Sequence, residues 1–282
     1  MNTVISSLRP FDRPFPNVLS IAGLDPSGGA GILADVKAFS ALGAYGTSVL
    51  TALTAQNTRG VTGVQPVAPA FVLAQLDTLL ADVRIDAIKV GMLANAEIAS
   101  VVAERLATST LPIVVDPVMV AKSGDRLLDG DAIETVRRRV VPLAAIITPN
   151  LPEAGVLLGR PAPASVAEMR EAARALHALG ARHVLVKGGH LGGTESPDVA
   201  FDGVSFLELP AARVDTPNTH GTGCTLSAAI TALLPQRPDW ASAVREAKDY
   251  VSAALRTSHA LHVGGGHGPL HHFHAWWRPE AR

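Results

Sequence analysis

The chain of 282 residues lacks several features that would define its class. It has a single cysteine, so no intramolecular disulfide framework can form, as is typical of proteins from a reducing compartment. Lys and Arg number 24 against 25 Asp and Glu, so there is no basic field to attract nucleic acid or an anionic membrane. No apolar run is long enough to cross a bilayer. We therefore predict a cytoplasmic protein without a nucleic-acid or membrane partner.

The N-terminal residues differ in character from the rest. Residues 1–17 contain Arg9, Asp12, Arg13 and three prolines but no apolar stretch of the kind a signal peptide needs. We interpret this segment as a flexible leader. Beyond it, no linker, repeat or change in composition divides the chain, so we predict a single domain over residues 18–282.

Short apolar runs alternate with helical patterns along that domain. The runs lie at residues 18–22, 87–90, 113–115, 145–148 and 184–186, and most end in glycine, proline or polar residues. Two further runs, near Val199 and Phe206, suggest a hairpin across Asp202-Gly203. This alternation predicts an α/β fold with a mainly parallel, doubly wound sheet. Ligands bind such sheets at the carboxyl ends of the strands, where these polar clusters would gather.

The cysteine, Cys224, lies in a glycine-containing segment before an apolar helical pattern. Gly221 and Gly223 allow a tight turn that points several N–H groups at one spot, and the helix start adds its own. Such a place holds an anion, and the helix dipole would lower the pKa of a thiol there. We predict a catalytic group beside a phosphate. The alternative is a small buried apolar residue.

A second glycine-rich segment, residues 23–31, does not fit either common nucleotide motif. Gly23 and Gly28 have the spacing of a phosphate-binding loop, but Gly29 and Ala30 replace its lysine and its Ser or Thr. The spacing is also not that of a dinucleotide-binding loop. A structural turn between strand and helix explains the segment equally well, and a solvated position explains Asp35 in the following helix.

Polar side chains follow three of the predicted strands. Asp116 ends one strand, Asn150 and Glu153 follow another, and carboxylates at strand ends suit Mg²⁺. An ordinary helix cap explains Asn150 and Glu153 as well. Lys187 lies between a buried strand and two glycines, a position that favours an anionic ligand.

Half of the ten histidines lie near the C-terminus. They have no cysteine partners and no helical spacing with a carboxylate, which argues against a metal site. We predict instead that this tail packs its aromatic residues against the domain. The five are His262, His267, His271, His272 and His274.

Taken together, these segments resemble the hydroxymethylpyrimidine/phosphomethylpyrimidine kinases of the ribokinase-like superfamily. The resemblance extends from about residue 18 to residue 277. The matching blocks are residues 22–31, 39–46, 54–61, 89–93, 116–119, 121–125, 148–154, 187–190, 218–225 and 268–277.

The resemblance implies a three-layer α/β/α sandwich and a thiamine-pathway kinase that uses ATP and Mg²⁺. Such an enzyme phosphorylates 4-amino-5-hydroxymethyl-2-methylpyrimidine to its monophosphate and then to the pyrophosphate. It also implies a homodimer. Most ribokinase relatives have an aspartate base at the position of Cys224, whereas this branch has cysteine.

The resemblance also implies roles for individual residues. The pyrimidine pocket would comprise Gln56, Gly23, Asp35, Met92 and Val118. The nucleotide would contact Lys187, Asn150 and Glu153, and Asp116 with Glu153 would hold the metal. The anion hole for the transferring phosphoryl group would comprise Gly221, Thr222, Gly223 and Cys224.

Three other functions fit parts of the sequence. A related branch with the same Gly-Thr-Gly-Cys loop phosphorylates vitamin B6 alcohols, so pyridoxal kinase is the nearest alternative. A non-catalytic pyrimidine sensor would not need Lys187, Glu153 and the anion hole together. A cysteine hydrolase using Cys224 with His220 would lack an evident third residue to orient the histidine.

Overall fold

A computed structural model of the protein describes residues 15–119 and 130–277, and these contain one nine-stranded sheet with the order β3-β2-β1-β4-β5-β6-β7-β8-β9. The strands are β1 (Asn17–Leu24), β2 (Tyr45–Asn57), β3 (Gly60–Pro66), β4 (Ala87–Val90), β5 (Ile113–Val115), β6 (Ile146–Ile147), β7 (Val184–Val186), β8 (Asp198–Phe201) and β9 (Phe206–Leu209). Six neighbouring strands are parallel to one another: β2, β1, β4, β5, β6 and β7. Antiparallel pairing adds β3 at one edge of the sheet and β8 and β9 at the other.

Helices cover both faces of the sheet. They are α1 (Gly31–Ala41), α2 (Pro69–Asp82), α3 (Ala96–Leu106), α4 (Gly130–Thr135), α5 (Leu151–Leu158), α6 (Val166–His177), α7 (Thr222–Leu233) and α8 (Trp240–Arg256). Successive strand residues point to opposite faces, so Val114 packs with α7 and α8 whereas Val115 packs with α3 and α5. Strands buried on both sides therefore consist mostly of apolar residues without alternation, with Ser20 and Lys89 among the polar exceptions.

The predicted α/β class and mainly parallel sheet are confirmed, and so is the hairpin of β8 and β9. The hairpin of β2 and β3 was not predicted, because Gly60 and Gly63 weaken the strand pattern there. Most of the predicted leader, residues 1–14, and the block at 121–125 lie outside the described residues. The division into leader and single domain stays a prediction. In the part described, no helix is long and apolar enough to cross a membrane.

The C-terminal tail packs differently from the prediction. His271 and His272 are buried, and the His272 ring lies 3.1 Å from the Thr225 hydroxyl of α7. The two tryptophans are largely exposed, although the Trp276 indole donates a hydrogen bond to the Ala41 carbonyl. The prediction that the tail's aromatic residues pack on the domain is therefore wrong for Trp277, whose exposed ring stacks on Phe273 within the tail itself.

Candidate active site

A cavity of about 550 Å³ opens at the carboxyl ends of the parallel strands. Parallel strands end at one edge, so loops far apart in sequence converge there. Nearly all of the predicted site residues line this cavity. They are Gly23, Gln56, Met92, Asp116, Val118, Asn150, Glu153, Lys187, Gly221, Thr222, Gly223 and Cys224. The structure thus brings them together, while their individual roles stay predictions.

Asp35 is the exception and does not line the cavity. Its side chain is fully buried, accepts a hydrogen bond from Ser20 Oγ at 2.6 Å, and pairs with Lys89 Nζ at 2.5 Å. The expectation that Asp35 lines the pyrimidine pocket is therefore wrong, and so is the alternative of a solvated residue. The reason is the fully buried lysine, whose charge requires a partner inside the protein.

Lys89 is a residue whose importance the sequence analysis missed. It lies on β4, where all four residues are buried, and it forms part of the wall beneath the cavity. Burial alone would lower the pKa of its ammonium group, but Asp35, with smaller contributions from Cys224 and Asp116, raises it. Lys89 is therefore charged at neutral pH. The sequence did contain a signal for this residue: Lys89 is a lysine inside a four-residue strand that is otherwise apolar.

Lys187 is the centre of a second charged cluster, at the cavity edge. Its Nζ lies 2.7 Å from Asp116 Oδ1 and 3.9 Å from Glu153 Oε2. The hydroxyls of Thr148 and Ser227 also donate to the Asp116 carboxylate, at 3.1 and 3.3 Å. Burial raises the pKa of Asp116, but Lys187 and Lys89 outweigh it and lower that pKa below its ordinary value. Asp116 is thus ionised and held in one orientation.

Asn150 and Glu153 form a capping box at the start of α5. Asn150 Oδ1 accepts from the Glu153 N–H at 2.9 Å, and Glu153 Oε2 accepts from the Asn150 N–H at 2.7 Å. The capping interpretation is therefore confirmed, yet both residues also line the cavity. Burial raises the pKa of Glu153 to about 7, with Lys187 opposing this and Asp116 adding to it. The Glu153 carboxylate thus caps α5 and also faces the charged cluster around Lys187.

The turn before α7 depends on its glycines. Gly221 caps the helix with φ 75°, a conformation that favours glycine, and a Cβ there would lie 1.8 Å from the Gly29 carbonyl oxygen. A Cβ on Gly223 would lie 2.9 Å from Lys187 Nζ. The first turn of α7, whose N–H groups have no preceding helical carbonyl, therefore lies directly beside the lysine. This arrangement suits an anion.

Cys224 differs from the prediction in its acidity. Burial raises the pKa of its thiol to about 11, and the carboxylates of Asp116 and Asp35 add to this. Lys89 and a hydrogen bond from the Gly31 N–H act in the opposite direction but do not compensate. The expected lowering of the thiol pKa is therefore wrong, because burial and two nearby carboxylates exceed the effect of the helix start. The side chain is only partly buried and lines the cavity.

Gln56 lies at the other end of the cavity, on β2. The β2–β3 pairing shifts register between Ala55 and Gln56, and such a bulge redirects a side chain. The Thr54 hydroxyl lies 2.9 Å from the Leu24 carbonyl oxygen and 3.1 Å from Gln56 Oε1, so it links the amide to the end of β1. Met92 packs near Gly23, where a Cβ would lie 3.4 Å from the Met92 sulfur. This end is an apolar slot with one oriented carboxamide.

The ring of His220 contacts Asp25 and not the thiol. His220 Nε2 lies 2.7 Å from Asp25 Oδ2, and both residues are buried. From the sequence, His220 was considered only as a partner of Cys224, and Asp25 was given no role. The contact joins residues 195 positions apart, so no local pattern indicates it. Asp25 supplies the orienting residue that a cysteine hydrolase needs, but the raised pKa of the Cys224 thiol counts against a nucleophilic cysteine.

Known proteins match the chain over most of its length. The sequence model of the phosphomethylpyrimidine kinase family matches residues 25–271. A hydroxymethylpyrimidine/phosphomethylpyrimidine kinase of Salmonella typhimurium is 56% identical over 93% of this chain and 98% of its own length. The chain belongs to this family. The predicted family and enzyme class are thereby confirmed, and the protein is a kinase.

Solved structures of two kinases share the fold. A phosphomethylpyrimidine kinase of Clostridium difficile has a TM-score of 0.76 and 40% identity, with 85% of this chain and 99% of that one covered. A pyridoxal kinase of Staphylococcus aureus, in complex with AMP-PCP and pyridoxal, has a TM-score of 0.86 and 35% identity over 94% and 96%. The predicted ribokinase-like sandwich is confirmed, and an ATP analogue is bound by a member of this fold.

Proposed function

We propose that the protein phosphorylates 4-amino-5-hydroxymethyl-2-methylpyrimidine to its monophosphate and then to the pyrophosphate in thiamine biosynthesis, using ATP and Mg²⁺. The observation that carries the proposal is one cavity with an oriented carboxamide at one end and a lysine beside a helix start at the other. High identity to a kinase named for both steps supports it.

Gln56 would recognise the aminopyrimidine. The ring presents an acceptor nitrogen next to an amino donor, and a carboxamide offers the complementary donor and acceptor side by side. The Thr54 hydroxyl contacts the amide oxygen, so the NH₂ group would serve as donor toward the ring. The apolar neighbours Met92 and Val118 would enclose the ring faces. Binding there would place the hydroxymethyl group toward α7.

Lys187 and the first turn of α7 would bind the transferring phosphoryl group. Phosphoryl transfer needs little covalent chemistry from a protein, so positioning and charge stabilisation provide most of the catalysis. Lys187 lies directly beside Gly223, and the N–H groups of Gly223 and Cys224 would act with its charge on the phosphoryl group. Asn150 lies beside them and would contact the nucleotide phosphates.

Asp116 and Glu153 would hold Mg²⁺ together with the nucleotide. Within residues 15–119 and 130–277, no group of three or more His, Cys, Asp or Glu side chains could hold a metal without other ligands. Two carboxylates facing a cavity fit Mg²⁺, which takes few protein ligands and completes its shell with waters and phosphate oxygens. The bound ion would neutralise charge on the phosphates. Lys187, already near both carboxylates, would share this task.

Cys224 would act through its backbone. Burial and two nearby carboxylates raise the pKa of its thiol to about 11, so the side chain is protonated at pH 7. A protonated thiol cannot accept the proton of the alcohol, so the side chain is a poor resident base. Its N–H, in the first turn of α7, remains a donor to the phosphoryl group in both steps.

A product assay tests this function. The purified protein is incubated with ATP, Mg²⁺ and either the pyrimidine alcohol or pyridoxal, and products are followed by mass spectrometry. We expect pyrimidine monophosphate and then pyrophosphate. The similarity to a pyridoxal-bound kinase makes pyridoxal phosphorylation the second candidate. Pyridoxal phosphate as the only product would replace our assignment, and binding without any product would favour the sensor.

Gln56→Glu tests the pyrimidine end. The substitution keeps the shape but replaces the donor by an acceptor, which costs ~1–3 kcal/mol for an unsatisfied buried group. We expect the KM for the pyrimidine to rise ~5- to 150-fold while the KM for ATP changes little. Gln65→Glu, on the exposed strand β3, is the matched control. Equal effects on both substrates would contradict the role.

We further propose a cytoplasmic homodimer. Large apolar side chains are exposed on neighbouring elements, Leu53 on β2, Val64 on β3 and Phe71 on α2. Exposed apolar surface of this kind suits contact with a second copy. Sedimentation equilibrium should give twice the chain mass, and Phe71→Glu should lower it. A monomer at all concentrations would rule the dimer out.

A further inference from the structure

The loop after β1 is organised by the carboxylate of Asp25. Oδ1 accepts from the Ser27 N–H at 2.8 Å, and Oδ2 accepts from the Ser27 hydroxyl at 2.9 Å and from the Ala30 N–H at 3.0 Å. Oδ2 also meets His220 Nε2 at 2.7 Å. A single side chain thus closes its own loop and binds the loop that precedes α7.

The two loops also touch through their backbones. A Cβ on Gly29 would lie 2.3 Å from His220 Cδ2, and one on Gly221 would lie 1.8 Å from the Gly29 carbonyl oxygen. At the next turn, the backbone of Gly31 lies close enough to the Cys224 thiol to lower its pKa. The start of α7 therefore packs against the loop that follows β1, and the hydrogen bond between Asp25 and His220 joins the two.

The hydrogen bonds to the Asp25 carboxyl determine its charge. Burial raises the pKa of Asp25, but hydrogen bonds from His220 and Ser27 outweigh it and lower that pKa below its ordinary value. The carboxylate is ionised, so His220 Nε2 donates to it. The backbone of His220 is held as well, because its amide N–H donates to the Gly268 carbonyl at 3.0 Å. The residue is thus fixed by its backbone to the C-terminal tail and by its ring to Asp25.

We propose that Asp25 and His220 are positioning residues that hold the first turn of α7 in register with the loop after β1. The inference rests on the proposed function, in which α7 binds the phosphoryl group and Gly23, at the end of β1, belongs to the acceptor pocket. The contact between Asp25 and His220 fixes the distance between the phosphoryl group and the acceptor. Loss of the contact would impair in-line transfer more than the binding of either substrate.

Kinetics of four variants test the proposal. His220→Ala and Asp25→Asn should each lower kcat ~10- to 100-fold, with both KM values within about threefold of wild type. The double variant should be no slower than the slower single variant, because the two side chains act as one unit. His220→Gln, which keeps a donor near the Nε2 position, should regain most of the rate. His259→Ala, exposed and outside the cavity, is the control.

Alkylation of Cys224 gives a readout that needs no substrate. Because the chain has one cysteine, the rate of reaction with iodoacetamide reports on the start of α7 alone. We expect at least about threefold faster alkylation in His220→Ala than in wild type, with unchanged circular dichroism, and slowing by AMP-PCP in both. A wild-type chain that phosphorylates neither alcohol would refute the proposed function, while the alkylation rates would still test the contact.

The proposal is overturned if His220→Ala matches wild type in both kcat and alkylation rate. It is also overturned if the losses of the two single variants multiply in the double variant, because independent residues behave in that way. If His220→Ala does not fold, the comparison of His220→Gln with Asp25→Asn decides: the proposal requires a smaller loss of kcat for the former.

Discussion

Two lysine–carboxylate pairs lie within the same strand-end region, and they differ in access to solvent. Lys89 and Asp35, 2.5 Å apart, are both 0% exposed. Lys187 and Asp116, 2.7 Å apart, lie at the cavity edge, where Lys187 is 12% exposed and Glu153 forms a second partner. The chemical groups are the same in both pairs. Their surroundings determine what each pair can do.

In the sealed pair, Lys89–Asp35, both side chains are fully buried, and Asp35 also accepts a hydrogen bond from Ser20 Oγ. Separating its charges would leave an uncompensated ion in the protein interior, which is strongly unfavourable. The open pair, Lys187–Asp116, faces a cavity that a phosphate or a cation can enter. Lys187 can therefore exchange its carboxylate partner for an anionic ligand. We therefore infer that the sealed pair stabilises the site from beneath and that the open pair binds the ligand. The following predictions test this contrast.

The largest effect is expected for the sealed pair. Lys89→Met should lower the free energy of unfolding by about 3–5 kcal/mol, because the buried Asp35 carboxyl, whose pKa burial already raises, loses the charge that compensates it. Adding Asp35→Leu should recover most of this loss, since an apolar pair needs no compensation. Urea unfolding measures both. Arg105→Met, which breaks an exposed ion pair with Asp77, should cost no more than about 1 kcal/mol. A similar cost at both sites would refute the contrast.

Lys187→Met should act mainly on turnover. We expect kcat to fall about 10²–10³-fold, as for the loss of one preorganised donor to a developing charge. The stability loss should be smaller than that of Lys89→Met, because solvent in the cavity can compensate Asp116. Pyrimidine binding measured by calorimetry without nucleotide should stay near wild type. Arg170→Met, at an exposed pair with Glu208, is the control. Loss of pyrimidine binding in a folded Lys187→Met protein would contradict the division of the site.

Glu153 should give the open cluster a pH dependence. With its pKa near 7, the ionised carboxylate forms as pH rises through 7, so kcat/KM for ATP should rise and then level off. This inflection should be absent in Glu153→Gln. The folded protein also binds more protons than the unfolded chain between about pH 4.5 and 7. The stabilising contribution of Glu153 is therefore greatest below pH 4.5 and is lost as pH rises to 7. Urea unfolding should show Glu153→Gln gaining stability relative to wild type from pH 5 to pH 8.

Cys224→Ala should have the smallest effect. If the backbone of α7 is the functional donor, both phosphorylations should slow by less than about tenfold and by similar factors. A base role predicts a selective loss on the alcohol, because the phosphate monoester is already largely ionised at pH 7. Separate rates on purified alcohol and monophosphate distinguish the two. A loss confined to the alcohol step would restore Cys224 as the base.

The sequence predicted much of the fold because strand and helix signals are local. Apolar runs at residues 113–115 and 184–186 match β5 and β7, and Gly180 follows the end of α6 closely. The β2–β3 hairpin was missed since glycines replace the usual strand residues at Gly60 and Gly63. Among the site residues, Lys187, Asp116 and Glu153 were found because each follows a strand. Asp35 was misplaced because it sits one turn inside a helix, where its sequence neighbours do not reveal its partner.

The sequence by itself determined the alternation of elements, the cap at Asn150, the glycine turn at Gly221 and the family. These depend on backbone conformation and on neighbours within a few residues. Only the tertiary structure decided that Lys89 meets Asp35, that His220 meets Asp25, and that the Cys224 thiol has a raised pKa. Protonation and pairing depend on which charges lie within a few ångströms and how far water is excluded. Both are set by the packing of segments that are distant in the chain.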